Sequence, residues 1–98
     1  KDLEDQQKAR SKRVQRDALD RVLTEFTSYY RDVLAVQTRS GASLINAELA
    51  TPIAKLAAST TPEATIGRLD AILECRTALE TNVAPLLALE ALLIQLRV

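Results

Sequence analysis

Residues of the types that most often carry chemistry are scarce in this sequence. It has no histidine, the commonest general base and metal ligand, and its one cysteine, Cys75, therefore has no histidine partner to activate it. It also has no CxxC pair, no glycine-rich phosphate loop and no GxSxG motif, and its carboxylates are scattered. We therefore expect no enzymatic activity, no cofactor and no bound metal, and we interpret Cys75 as a small packing residue.

Two further features could contact nucleic acid, and each has a plainer interpretation. Residues 1–13 contain five basic and three acidic residues, which favours a charged linker or helix extension over a DNA-binding arm. The Tyr29–Tyr30 pair could stack on bases, but base-stacking proteins usually combine several aromatics with a basic surface. Because thirteen basic residues balance thirteen acidic ones, we expect packing from the tyrosines and no DNA contact.

Three charged residues interrupt apolar helix faces near the end of the sequence. Arg76 and Glu80 fall within the apolar arc of the third predicted helix, and Glu90 falls within that of the last. A hairpin that turns near residues 83–84 would bring Arg76 opposite about position 91. Because a buried charge needs a partner, we predict that Arg76 pairs with Glu90, with Glu80 as a second acceptor. The alternative is that these side chains reach solvent at a helix edge.

The last predicted helix is apolar around more of its circumference than one packed face requires. Its register against the third helix predicts that Leu89, Leu93 and Leu96 face the bundle. Leu87 and Ile94 lie about 100° away on the wheel and are the candidate subunit interface. The alternative is that the bundle itself buries the whole surface.

The elements that must position these residues are all predicted to be helices. The sequence is 47% hydrophobic, rich in Ala and Leu, and has only two Gly and three Pro. The third predicted helix has an apolar arc made of Ile66, Leu69, Ile72, Leu73, Leu79 and Val83. The helical periodicity and the capping residues predict an all-α antiparallel bundle of about four to five helices within residues 14–98. The predicted helical segments are about 14–39, 44–49, 52–58, 62–82 and from 85 onwards.

Four helix boundaries carry specific signals. Ser40-Gly41 should end the first helix, with Gly41 in the left-handed cap conformation. Thr51-Pro52 and Thr61-Pro62 each read as a capping residue followed by proline at the first helical position. Pro85 should open the last helix, because proline cannot continue the one before it.

No targeting or membrane-spanning segment is predicted. The N-terminus is charged, and the longest apolar run, residues 86–96, is far shorter than the roughly 20 residues that span a bilayer. We therefore expect a cytoplasmic protein. Because the sequence begins with Lys instead of Met, we also expect it to be part of a longer chain.

Two stretches of the sequence resemble a known family. The first combines R-D-A-L-D at 16–20 with Y-Y-R-D-V-L at 29–34, and the second runs through 66–96. The most specific part is N-x-x-P-x-x-A-L-E at 82–90. Together they resemble the C-terminal collar domain of the delta-prime subunit of the bacterial DNA polymerase III clamp loader, in its actinobacterial type.

The resemblance implies an oligomerisation domain for DNA replication. In that family, five subunits join through their collars into a ring, which holds AAA+ modules that load the sliding clamp. The implied partners are other clamp-loader subunits of the gamma/tau and delta types, without a small-molecule ligand or a membrane. ATP chemistry and the arginine finger would belong to an AAA+ module outside this sequence.

Two other functions remain as alternatives. One is a stand-alone helical adaptor that binds a partner helix or peptide in an amphipathic groove. The other is a small helical nucleic-acid binder, which the zero net charge disfavours. The sequence that precedes Lys1 would separate the collar from the adaptor, because a subunit of the clamp loader has an AAA+ module there.

Overall fold

The computed structural model describes residues 2–81 and 84–97 and confirms the all-α fold class. No strand occurs in these two ranges. The elements in chain order are α1 (Asp2–Gln37), a 3₁₀ turn (Ala47–Leu49), α2 (Ala50–Ser59), α3 (Pro62–Glu80) and α4 (Pro85–Gln95). The predicted end of the third helix at Asn82 and the predicted turn at Val83 lie outside the described residues.

Helix α1 sets the length of the molecule. It has 36 residues, and at about 1.5 Å per residue it accounts for nearly all of the 57 Å long axis. Residues 2–13 of the charged segment are a helical extension in the structure, and every side chain in them is exposed. The other helices pack along the remaining part of α1.

The helix boundaries follow the predicted signals at α3 and α4 but not at α1 and α2. The Thr61 hydroxyl accepts a hydrogen bond from the Ala64 amide at 3.1 Å, and α4 opens at Pro85. Helix α2 begins at Ala50 and not after Thr51, because the 3₁₀ turn leads directly into it.

The left-handed residue at the end of α1 is Arg39, with a φ of 53°, where the sequence predicted Gly41. The Ser40 amide donates to the Ala35 carbonyl at 3.1 Å, which closes the last turn around Arg39. Gly41 also has a positive φ, 75°, but it lies in the loop beyond this cap.

Two apolar clusters hold the bundle together. The larger one joins α1, α3 and α4 through Leu23, Ala71, Ile72, Cys75, Leu79, Ala88 and Leu92. The smaller one joins α1 to α2 through Val33, Ile53 and Ala57. Helix α1 contributes to both clusters and packs against α2 and α3, while α4 packs mainly on α3.

A buried carboxylate fixes the loop between α1 and α2. Asp32 is 3% exposed and accepts hydrogen bonds from the backbone amides of Ile45 (2.9 Å) and Asn46 (2.7 Å) and from the Asn46 side-chain amide (3.0 Å). Burial acts to raise the pKa of Asp32, but these three hydrogen bonds outweigh it and hold the pKa below its ordinary value. The ionised carboxylate therefore serves as the anchor of residues 45–46, a role that the sequence analysis missed.

A polar network ties the end of α1 to the α2–α3 junction. The Gln37 side-chain amide donates to the carbonyls of Ala57 (3.3 Å) and Thr60 (3.2 Å), and its oxygen accepts from the Thr65 hydroxyl (2.8 Å). Nearby, the buried Arg68 donates to the Thr60 hydroxyl at 3.2 Å. The network supplies hydrogen-bond partners to these polar groups, except that the buried Nε of Arg68 has none among the described residues.

Candidate interface on the last helix

Helix α4 buries one side of itself and leaves large apolar side chains exposed on the others. Ala88 and Leu92 are buried against α3, and Leu96 packs partly against the same cluster. Four large apolar side chains of α4 are more than half exposed: Leu86, Leu87, Leu93 and Ile94. A helix that is apolar nearly all round normally has neighbours on several sides, so α4 has apolar surface that this chain does not cover.

The two candidate interface residues lie on the side of α4 that faces away from the bundle. Leu87 is 62% exposed and Ile94 is 64% exposed. On the helical wheel they lie about 120° to 140° from the middle of the buried Ala88–Leu92 side. The geometry leaves both side chains available for a contact outside this chain, and their role as an interface stays a prediction.

The predicted packing register of α4 is wrong by one residue at its centre. Leu93 was expected to face the bundle but is 52% exposed, whereas Leu92 is 2% exposed. On α3, Ile66 and Leu73 of the predicted apolar arc are also exposed. The buried face of α3 instead includes the small residues Ala71 and Cys75, which lie against Ala88 and Leu92 of α4.

The predicted pair of Arg76 with Glu90 is a second error, and it follows from the first. Arg76 contacts Asp20 of α1, with Nη2 3.0 Å and Nε 3.1 Å from one carboxylate oxygen. Because α4 packs on the Ala71–Cys75 side of α3, Arg76 is left on the edge that faces α1. Glu90 is exposed on α4, and Glu80 is exposed in the same shallow groove as Asp20 and Arg76.

The Arg76–Asp20 pair should contribute little to stability. The side chains are 38% and 57% exposed, so water screens their attraction. We expect Arg76→Ala to lower the free energy of unfolding by about 0.5 kcal/mol, measured by chemical denaturation. Arg97→Ala, which removes another exposed arginine, is the control. A loss above about 2 kcal/mol for Arg76→Ala alone would show that the pair is buried in solution.

Cys75 is a core residue at the contact between α3 and α4. Its thiol lies 3.6 Å from the Ala88 carbonyl oxygen, and burial raises its pKa. A thiol that is buried and protonated is a poor nucleophile. Within residues 2–81 and 84–97, no group of three potential ligands lies close enough to hold a metal ion. No helix in those ranges is long and apolar enough to cross a membrane.

Comparison with known proteins assigns the family. The family model described as DNA polymerase III, delta subunit, C terminal, matches residues 6–97 of the 98-residue chain. No curated protein and no solved structure matches the chain significantly. The matched range includes all of α2, α3 and α4, and with them the exposed apolar side of α4. The chain therefore belongs to the family of C-terminal domains of DNA polymerase III delta subunits.

Proposed function

We propose that this domain is the collar of one member of the clamp loader and that it joins that member to its neighbours in the ring. Within the family shown by the match, we assign the chain to the delta-prime type found in actinobacteria. The sequence pattern over residues 16–34 and 66–96 supports this assignment. The partners are the gamma/tau and delta type subunits of the same assembly.

The exposed apolar side of α4 is the observation that carries the proposal. Leu87 and Ile94 are two helical turns apart and form an apolar strip on one side of α4, because residues seven apart lie on the same side of a helix. Such strips pack readily against a helix of another protein, since apolar interface centres exclude water as a protein core does. Glu90 stands beside the strip and is suited to select a partner with a matching positive charge.

In this role the domain works as a structural part. Its buried side holds α4 on the bundle through Ala88 and Leu92, while its exposed side binds the neighbour. Binding and hydrolysis of ATP would belong to the AAA+ modules of the assembly. The domain would act in the cytoplasm, where bacterial DNA is replicated.

The proposal is tested by mixing the purified domain with the other subunits of the DNA polymerase III clamp loader. We expect it to co-elute with them in size-exclusion chromatography and to compete with the full-length protein for a place in the ring. If the domain elutes alone at every concentration that assembles the full-length protein, it is not a collar. The sequence before Lys1 of the parent protein tests the delta-prime assignment, which requires an AAA+ module with an arginine finger.

A further inference from the structure

A second surface, on another part of the molecule, has the features of a binding site. An open cleft of about 570 Å³ lies between the middle of α1, the 3₁₀ turn and the end of α4. Its apolar lining consists of Phe26, Tyr29, Tyr30, Leu49 and Leu96. The volume is within the range of roughly 300–1,000 Å³ that ligand pockets occupy.

The cleft contains every aromatic ring of the chain. The sequence has one Phe, two Tyr and no Trp, and all three rings line this one cleft. Tyr29 and Tyr30 meet edge to face, with ring centroids 5.5 Å apart and an interplanar angle of 89°. Each ring packs with one side against an apolar cluster of the bundle and remains partly exposed on the side of the cleft. Aromatic side chains are enriched at the centres of binding surfaces, so a partly exposed group of three rings favours a contact there.

The rim of the cleft is acidic. Glu25 stands on α1 and Glu48 on the 3₁₀ turn, so carboxylates come from two different walls, and both are exposed. None of the described residues that line the cleft is Lys or Arg. The two carboxylates place negative charge on the rim above an apolar floor, and the Arg68 charge that acts on Tyr30 is buried.

Hydrogen bonds within the chain fix the segment that precedes the 3₁₀ turn with Glu48. Asn46 lines the cleft, and its backbone and side-chain amides both donate to the buried Asp32 carboxylate. Its side-chain amide also lies 3.4 Å from the Ser28 hydroxyl. A wall fixed in this way loses little conformational entropy on binding, which favours affinity.

We propose that this cleft binds a segment of a partner protein in which an arginine or lysine stands beside an apolar side chain. The apolar side chain fills the floor formed by Phe26 and Leu49. The cation lies between Glu25 and Glu48, where it also faces a tyrosine ring. Nucleic acid does not fit, because its phosphates would be repelled by the same carboxylates. Leu87 and Ile94 lie outside the cleft, so the site is separate from the proposed collar interface.

The test uses two capped peptides of equal length, one alternating leucine with arginine and the other alternating leucine with glutamate. Proton NMR of the whole chain follows the ring resonances of Phe26, Tyr29 and Tyr30 during titration with each peptide. We expect saturable shifts of these rings with the arginine peptide and none with the glutamate peptide. Equal shifts with both peptides, or shifts with a single-stranded oligothymidylate, would overturn the proposal.

A matched pair of variants then locates the binding. Glu25→Gln with Glu48→Gln removes two exposed carboxylates from the rim, and Glu4→Gln with Glu74→Gln removes two exposed carboxylates elsewhere. All four residues are on the surface, so both variants should fold. We expect the arginine peptide to bind the rim variant about 3- to 10-fold more weakly and the control variant unchanged. Equal binding by the two variants would place the peptide outside the cleft and contradict the proposal.

Discussion

Replacing Asp32 with asparagine is expected to lower the free energy of unfolding by about 3 kcal/mol. The carboxylate is 3% exposed and accepts three hydrogen bonds from residues 45 and 46. An asparagine has the same shape but only one acceptor oxygen, so its NH₂ group would face an N–H donor instead of an acceptor. Urea denaturation followed by circular dichroism measures the change.

The same residue gives the protein a predicted dependence on pH. Because the pKa of Asp32 is lower in the folded state than in the unfolded chain, the ionised carboxylate stabilises the fold at pH values above its ordinary pKa of about 4. That contribution is lost as the pH falls through the lower, folded-state pKa. The difference in stability between the wild type and Asp32→Asn should therefore be constant near neutral pH and shrink in acid.

Asp70→Asn is the matched control for the Asp32 prediction. Asp70 is an exposed carboxylate in the middle of α3, and the same change there should alter stability by no more than about 0.5 kcal/mol. If Asp32→Asn were as mild as Asp70→Asn, the loop at residues 45–46 would not be anchored by the carboxylate in solution. The part of the proposed binding cleft that carries Glu48 would then lose its support as well.

Leu92→Glu is expected to unfold the domain. Leu92 is 2% exposed at the centre of the cluster that joins α1, α3 and α4, and a glutamate there would be a buried charge without a partner. Loss of the leucine and burial of the charge together cost about 4 kcal/mol or more, against a total stability of about 5–15 kcal/mol for a domain of this kind. Circular dichroism at neutral pH should show reduced helicity or a greatly lowered melting temperature.

The next residue along the chain provides the control. Leu93 is 52% exposed, so Leu93→Glu should leave helicity and melting close to those of the wild type. The pair of variants distinguishes the observed register from the predicted one, which assigned Leu93 to the core. If Leu93→Glu unfolded the domain and Leu92→Glu did not, Leu93 and not Leu92 would be the core residue.

Local backbone chemistry predicted the starts of α3 and α4, although it did not predict the start of α2 or the residue that caps α1. Thr61 followed by Pro62 set the start of α3, because the hydroxyl replaces a missing helical partner and the proline tolerates the first position. At α4 only the proline acts in this way, because Ala84 precedes Pro85 and has no capping side chain. The all-α class followed from composition and periodicity, which act on every residue of the chain.

The sequence did not predict which face of α3 is buried. Large apolar residues such as Leu73 and Ile66 suggested one face, but α4 packs against the small side chains of Ala71 and Cys75. Small residues let two helix backbones approach closely, which a wheel that weights only side-chain hydrophobicity overlooks. The buried face is consequently rotated by roughly a quarter turn from the predicted one.

The two buried charges were missed for a related reason. Asp32 lies between polar and apolar residues on α1, and only the path of the loop that follows shows that it caps the amides of residues 45 and 46. Arg68 is buried beside Thr60 because the chain turns there from α2 into α3. Loop paths depend on tertiary contacts, which sequence periodicity does not report.

We propose that the exposed side of α4 joins this domain to other members of the clamp loader. Leu87→Glu tests it, with Val14→Glu as the matched control, because each places a carboxylate at a side chain that is 62% exposed. Circular dichroism should show both variants folded. In size-exclusion chromatography with the other subunits, we predict that Val14→Glu co-elutes with them and that Leu87→Glu elutes alone, since the new charge would be buried at the contact. Normal co-elution of Leu87→Glu would contradict the account.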